Sequence, residues 1–259
     1  MSETEDILLR RTGFRAEIVL NRPGARNALN LAMWSALPAL LAPLADDPQV
    51  RLVVLRGAGD HFAAGADIKE FAAAYATRSA ALENQTIMAA AMQALADFPK
   101  PTLALLRGAC VGGGCALALC CDLRFAATDL RIGITPAKLG LAYSVADTRR
   151  LIAAVGASAA KRILFTGQLI DSTEALRIGL VDATHAPDTL DAAADAFEQQ
   201  LRAASGFTAR AVKHVIRKIQ AGAVADDGET RALFADAFEG ADFREGASAF
   251  LAKRPPDFP

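Results

Sequence analysis

Residues 102–127 read TLALLRGACVGGGCALALCCDLRFAA. Thr102 to Leu106 is a compact apolar run of strand length. Gly108 to Gly114 is a loop of small residues, Cys115 to Cys121 reads as a buried helix, and Leu123 to Ala127 returns as a strand. This alternation favours an α/β architecture without fixing how the strands close. Upstream, Leu52 to Leu55 is a second short apolar strand, ended by Gly57-Ala58-Gly59-Asp60. Phe14 to Leu20 alternates in part, as a strand does. It stops at Asn21-Arg22-Pro23-Gly24, where Pro23 has no N–H for a central ladder. Leu31, Trp34, Leu37, Leu40 and Leu41 follow at helical spacing, with Asn27 or Asn30 placed to cap that helix.

Ile68 onward reads as a helix with Asp67 near its donor-rich start. Residues 83–97 carry another helical pattern, broken by Pro99-Lys100-Pro101. Beyond about residue 145 the chain is mostly helical. Val145 to Leu151, Leu190 to Leu201, Thr208 to Ile219, 229–238 and 245–252 are the candidates, with breaks near Gly156, Gly167, Gly179 and Pro187. No internal repeat and no long linker is evident. The C-terminal helices are either an integral layer or an oligomerisation element.

The chain has 259 residues, 28 basic and 29 acidic side chains, and a formal charge of -1. That length suits one large domain or a domain with a small appendage. With 53% hydrophobic and 22% charged residues, a wholly disordered chain is excluded. The balanced charge gives no sign of a nucleic-acid partner. The N-terminus lacks the basic and apolar regions of a signal peptide, and no apolar run approaches the roughly 20 residues of a membrane span. Cys110, Cys115, Cys120 and Cys121 share one apolar segment, with no histidine nearby. Buried thiols suit this pattern better than a metal site or a disulfide framework, and a reducing, cytoplasmic location is expected.

Two small-residue segments carry the candidate chemistry. Phe62-Ala63-Ala64-Gly65-Ala66-Asp67 and Gly112-Gly113-Gly114 each precede a helix. Their peptide N–H groups could converge on one carbonyl oxygen, where charge stabilisation is a strong route to catalysis. Tight packing or phosphate binding is the competing reading. Neither segment has a Walker or a full dinucleotide pattern. His61 is an acid–base candidate beside the first segment. Tyr143 either donates a hydrogen bond to a ligand or packs with its hydroxyl solvated. Asp147, Arg149 and Arg150 read as solvated helix residues. Phe234, Phe238 and Phe250 read as core or subunit contacts.

Taken together, Leu20-Asn21-Arg22-Pro23, Asn27-Ala28-Leu29, residues 62–68, Gly112-Gly113-Gly114-Cys115 and the ending Glu245-Gly246 to Arg254 resemble the enoyl-CoA hydratase/isomerase, or crotonase, family. The likeness covers nearly the whole chain. It implies an α/β crotonase-like spiral of repeated ββα units. Residues 1–190 would form the acyl-CoA-binding core, and 191–259 a helical region for oligomerisation and site completion. It further implies a homotrimer or dimer of trimers, an acyl-CoA substrate, and no catalytic cofactor beyond the coenzyme A of the thioester itself. Carried over by position, Ala66 and Gly113 supply the oxyanion-hole amides. Ala64, Asp67 and Ile68 line the adenine and pantetheine path. Phe250 and Lys253 reach coenzyme A, often across a subunit boundary.

The departures bear on the reaction. A standard hydratase of the family uses two glutamates. Here Ala116 stands where the first is expected, and Pro136, or Ala137 after a one-residue shift, where the second is expected. Water addition needs a base and an acid, and these side chains supply neither. Thr135-Pro136 through Tyr143 locally resembles the methylmalonyl-CoA decarboxylase branch, which implies a place for Tyr143 beside a leaving carboxylate. That branch usually carries a histidine where this chain has Ala66. An enolate-forming reaction is therefore the expectation. A methylmalonyl-CoA-like decarboxylase and a non-catalytic acyl-CoA-binding protein are the alternatives.

Overall fold

The computed structural model describes residues 6–67, 69–70 and 75–258. The chain opens with strand β1 (Ile7–Thr12) pairing antiparallel with β2 (Arg15–Leu20). From there each turn of the chain adds one parallel strand to the same sheet: β3 (Leu52–Gly57), β4 (Thr102–Leu106), β6 (Leu123–Ala127) and β9 (Ala183–His185). A second, three-stranded sheet takes the following short strands, β5 (Ala109–Val111), β7 (Arg131–Gly133) and β8 (Ile170–Asp171). An isolated parallel bridge from Ala63 to Cys110 extends this stack back to the loop after β3. Helices return the chain between turns: α1 (Leu31–Ala45), α2 (Arg78–Ala96), α3 (Gly113–Ala118) and α4 (Val145–Thr166). This is a spiral of ββα units.

The main sheet is apolar at its centre, in Leu52–Leu55 of β3 and in β4, because both faces are covered there. The period of two splits its side chains into two cores. Ile18, Val53, Leu55, Ala104 and Leu106 join the large core with α1, α2 and α3. Leu52, Val54, Leu103 and Leu105 face the other way and meet Leu190 and Ala194 of α6 (Leu190–Arg202). Each such leucine or valine withdrawn from water contributes about 1.5–3 kcal/mol. A one-residue slip would exchange the two sets, so the pattern also fixes the register.

Most expected elements are present with shifted ends. The helix after the glycines starts two residues earlier than expected, at Gly113, and stops at Ala118. The helix read from Val145 continues to Thr166, with Gly156 (φ 73°, ψ 164°) interrupting it. Helix α1 starts at Leu31 because Asn30, not Asn27, accepts the Met33 amide at 2.9 Å. It continues through Pro38 and Pro43, each of which removes a donor. Burial of Leu37, Leu41 and Leu44 holds it together. The expected helix from Ile68 falls on residues of which only Lys69 and Glu70 are described.

Beyond α5 (Ser172–Arg177) and α6, three amphipathic helices close the chain: α7 (Gly206–Gln220), α8 (Gly228–Glu239) and α9 (Ala241–Leu251). Helix α7 is fastened to the sheet by a buried ammonium. Lys213 Nζ donates to Asp122 Oδ2 at 2.7 Å and to the Lys100 carbonyl at 2.9 Å. The same Asp122 oxygen accepts from the Thr102 amide and hydroxyl. Lys213 is 8% exposed, so removing its counter-ion strands a charge away from water. Asp122→Ala is expected to lower stability by about 3 kcal/mol in urea unfolding. Lys213→Met, which removes charge and need together, should cost clearly less.

Candidate active site

Three segments meet at the end of the large core. The first is the loop 58–67 after β3. It folds back over Gly57 so closely that a Cβ there would stand 2.0 Å from the His61 carbonyl oxygen. Asn27 anchors it from below. This residue is fully buried, with φ 56°. Its amide donates to the Ala58 and His61 carbonyls at 2.9 and 2.7 Å, and its Oδ1 accepts the Arg22 amide at 2.9 Å. One side chain thus satisfies three backbone groups, which accounts for an asparagine in the left-handed region.

The second segment is the turn 112–114 entering α3. Gly112 takes φ 54° and ψ −116°, and its amide donates to the Gly133 carbonyl. Gly114 packs face to face with the first loop, where a Cβ would meet Ala63 Cβ and the Ala63 carbonyl at 2.8 Å. The third segment follows β7. Thr135 lies against Gly112, its Oγ1 3.6 Å from the position of a Cβ there, and Pro136–Leu139 forms a 3-10 turn.

The expected pair of amides comes together here. Ala66 bridges Leu29, with the Leu29 amide bonded to the Gly65 carbonyl and the Asp67 amide to the Leu29 carbonyl. This pattern turns the N–H of Ala66 itself away from Leu29. Gly113 is the first residue of α3, a position with no intrahelical acceptor. Among the described residues neither amide has a protein acceptor. A Cβ at Gly113 would lie 3.9 Å from the Ala66 nitrogen and 3.4 Å from Trp34 Cζ2. Hydrogen at that position therefore keeps the space between the two amides open.

The cleft on Ala66 is lined by Leu29, Leu31, Trp34, Asp67, Glu70, Tyr75, Asn84 and Met88. Asp67 is locked there. Arg22 Nη1 contacts its Oδ2 at 2.7 Å, and the Lys69 amide donates to its Oδ1 at 2.9 Å. The Lys69 amide first, then Arg22, holds its carboxyl below the ordinary range. Ala64 sits half-buried with its amide on the Arg26 carbonyl. Ile68 lies outside the described residues. Phe250, 83% exposed, and Lys253 are not among the residues lining this cleft.

Ala116 is buried in α3, so the position offers only a methyl group. Tyr143 packs its ring against the core, and its hydroxyl is buried with no hydrogen-bond partner among the described residues. Burial, then the neighbouring Cys115 and Asp147, push the phenol's pKa well up, so it is a neutral donor. Asp147 is not a solvated helix residue. It is buried, accepts from the Ser144 hydroxyl and pairs with Arg150 at 3.0 Å. His61 Nδ1 accepts the Ala109 amide at 3.1 Å, which ties the loop to β5. The four cysteines are buried and free, and burial raises the Cys120 thiol to about 12.

Trp34, Glu70, Tyr75, Asn84 and Met88 were not legible as site residues, since they look like ordinary helix positions. Only Trp34, the one tryptophan, carried a compositional signal.

The model of the family described as enoyl-CoA hydratase/isomerase matches residues 14–259. The chain is 37% identical to the 2,3-dehydroadipyl-CoA hydratase of Escherichia coli K12, over 93% of each chain. It is 32% identical to the crotonyl-CoA hydratase of Syntrophomonas wolfei, over 98% of each. Among solved structures, a Hyphomonas neptunium protein assigned to the enoyl-CoA hydratase/isomerase family superposes with a TM-score of 0.97. The two are 44% identical, with 100% of this chain and 99% of that one covered.

Asn27→Ala leaves three backbone groups unpaired and puts a Cβ-bearing residue without a polar side chain at positive φ. An expected loss of about 3 kcal/mol should appear in denaturant unfolding.

Proposed function

This chain belongs to the enoyl-CoA hydratase/isomerase family, and from that premise we propose that it polarises an acyl-CoA thioester between the Ala66 and Gly113 amides and works through the resulting enolate. The observation carrying this reading is the pair of neighbouring amides that, among the described residues, have no protein acceptor and lie beside an open cleft. A thioester oxygen between them gains two hydrogen bonds as negative charge develops on it. The donors are already fixed by the backbone, so little reorganisation accompanies the reaction.

Ala64, Asp67 and Ile68 line the path of the adenine and pantetheine. Asp67, tied to Arg22, shapes that wall. Phe250 and Lys253 complete the coenzyme A site from a neighbouring subunit. Residues 1–190 form the binding core, and 191–259 complete it by assembly into a homotrimer or a dimer of trimers. Exposed Phe234, Phe238, Phe243, Phe250 and Leu251 on α8 and α9 support such an assembly. Coenzyme A enters as part of the substrate, with no other cofactor. No helix among the described residues is long and apolar enough to cross a membrane.

The hydratases named above add water to their substrates. The two-glutamate route lacks its side chains in this chain. The methyl of Ala116 and the ring of Pro136 neither take nor give a proton. A second reading rests on the Tyr143 hydroxyl, which is buried without a partner among the described residues. In a methylmalonyl-CoA-like decarboxylation, the bond to the carboxylate breaks and carbon dioxide leaves. Its electron pair becomes the enolate, and the phenol orients the leaving group.

Incubation with unsaturated and malonyl-type acyl-CoAs, followed by mass spectrometry, tests turnover. Saturable binding with no product across the panel would make this an acyl-CoA-binding protein. Gly113→Val fills the space between the amides and should lower turnover at least about 100-fold. Its melting temperature should stay within a few degrees of wild type, since Gly113 needs no positive φ. Tyr143→Phe should spare isomerisation and slow decarboxylation. Equal rates for the variant and wild type on a malonyl-type ester would remove the second reading.

A further inference from the structure

The missing family glutamates leave the proposed enolate without a proton-transfer group, but the cleft contains one. We infer that Glu70 is that group: its carboxylate moves a proton to and from the carbon next to the thioester. This rests on the enolate reading above. Glu70 lines the same cleft as Ala66 and Trp34, and Trp34 reaches on to Gly113. One of its oxygens, Oε2, accepts the Leu31 amide at 2.8 Å, which fixes the side chain against the first turn of α1. Among the described residues the other oxygen has no hydrogen bond, and no cation pairs with the group. The contrast with Asp67 is informative. Asp67 faces the same cleft but has both oxygens engaged, by Arg22 and by the Lys69 amide. A base needs a lone pair that is free and held in place, and of these two carboxylates only Glu70 meets both conditions.

In the step, Glu70 Oε1 takes the proton from the α-carbon. The C–H pair forms the carbon–carbon double bond of the enolate. The carbonyl π pair moves onto the oxygen held by Ala66 and Gly113. The reverse step returns a proton to carbon, and no further reactant is needed. In heavy water the acid form of Glu70 exchanges with solvent, so the substrate acquires deuterium.

The experiment follows deuterium entry at the α-carbon of butanoyl-CoA and 3-butenoyl-CoA by mass spectrometry, with wild type, Glu70→Gln and Glu70→Ala. Glutamine keeps an oxygen for the Leu31 amide but cannot take a proton. Both variants are expected to lose exchange by 100-fold or more, while Glu70→Gln keeps the wild-type melting temperature and acyl-CoA affinity. If Glu70 only caps α1, Glu70→Gln exchanges like wild type and Glu70→Ala alone is defective, which overturns the assignment. Loss of affinity in Glu70→Gln overturns it as well, because the side chain would then act on binding. If Glu70→Ala does not fold, Glu70→Gln alone decides. Wild type without exchange on either ester would refute the enolate reading itself. Exchange in wild type and equally in Glu70→Gln would refute only the role of Glu70.

Discussion

The separation between two backbone loops governs this molecule. Loop 58–67 and turn 108–114 approach so closely that no methyl group fits at Gly108 or Gly114. A Cβ at Gly108 would lie 2.2 Å from the Asp60 carbonyl, and one at Gly114 would lie 2.8 Å from Ala63. Side chains are excluded, so backbone polar groups face the gap. Most of them pair across it: Phe62, Ala63 and Val111 donate to Arg107, Ala109 and Ala63 in turn. Ala66 and Gly113 come just after this ladder ends. Among the described residues their amides have no protein acceptor, because the strand pairing that would use them has stopped. The proposed oxyanion site is thus the frayed end of a structural ladder, with Asn27 below and the large core behind.

The same constraint explains how function and stability divide among residues. The sheet is buried on both faces at β3 and β4, which pair in a single register. Asp122, Lys213 and Thr102 pin the far end of β4 to α7. Arg22 and Asp67 close the rim of the cleft. The Asp122–Lys213–Thr102 and Arg22–Asp67 contacts are satisfied, whereas among the described residues the Tyr143 hydroxyl is buried without a partner and one Glu70 oxygen is left to solvent. A buried unsatisfied hydroxyl of this kind is costly in a folded protein, and a ligand that completes it is a natural counterpart.

Much of this was legible in the sequence, for local reasons. Thr102 to Ala127 announced strand, loop, helix and strand, because buried parallel strands are continuous apolar runs. The glycine and alanine segments announced an amide-rich site, because only small residues allow close backbone approach. What escaped notice depends on distant contacts. Asn27 looks like a helix cap, yet its partners are 31 and 34 residues away. Glu70 looks like a solvated helix residue until the Leu31 amide, 39 residues earlier, captures it. Strands β5, β7, β8 and β9 have two or three residues each, too few for alternation to register. Asp147 looks exposed because a charged residue beside two arginines on a helix usually is; here Ser144 and Arg150 offset its burial.

The central claim is that the Ala66 and Gly113 amides hold one thioester oxygen. A crystal structure of the protein with a non-hydrolysable acyl-CoA thioether ketone, the oxygen in place, tests it directly. The account predicts both nitrogens about 3 Å from that oxygen, with the acyl chain entering the cleft beside Trp34 and Glu70. An oxygen turned toward water, or bonded to neither amide while the coenzyme A is well seated, would contradict it.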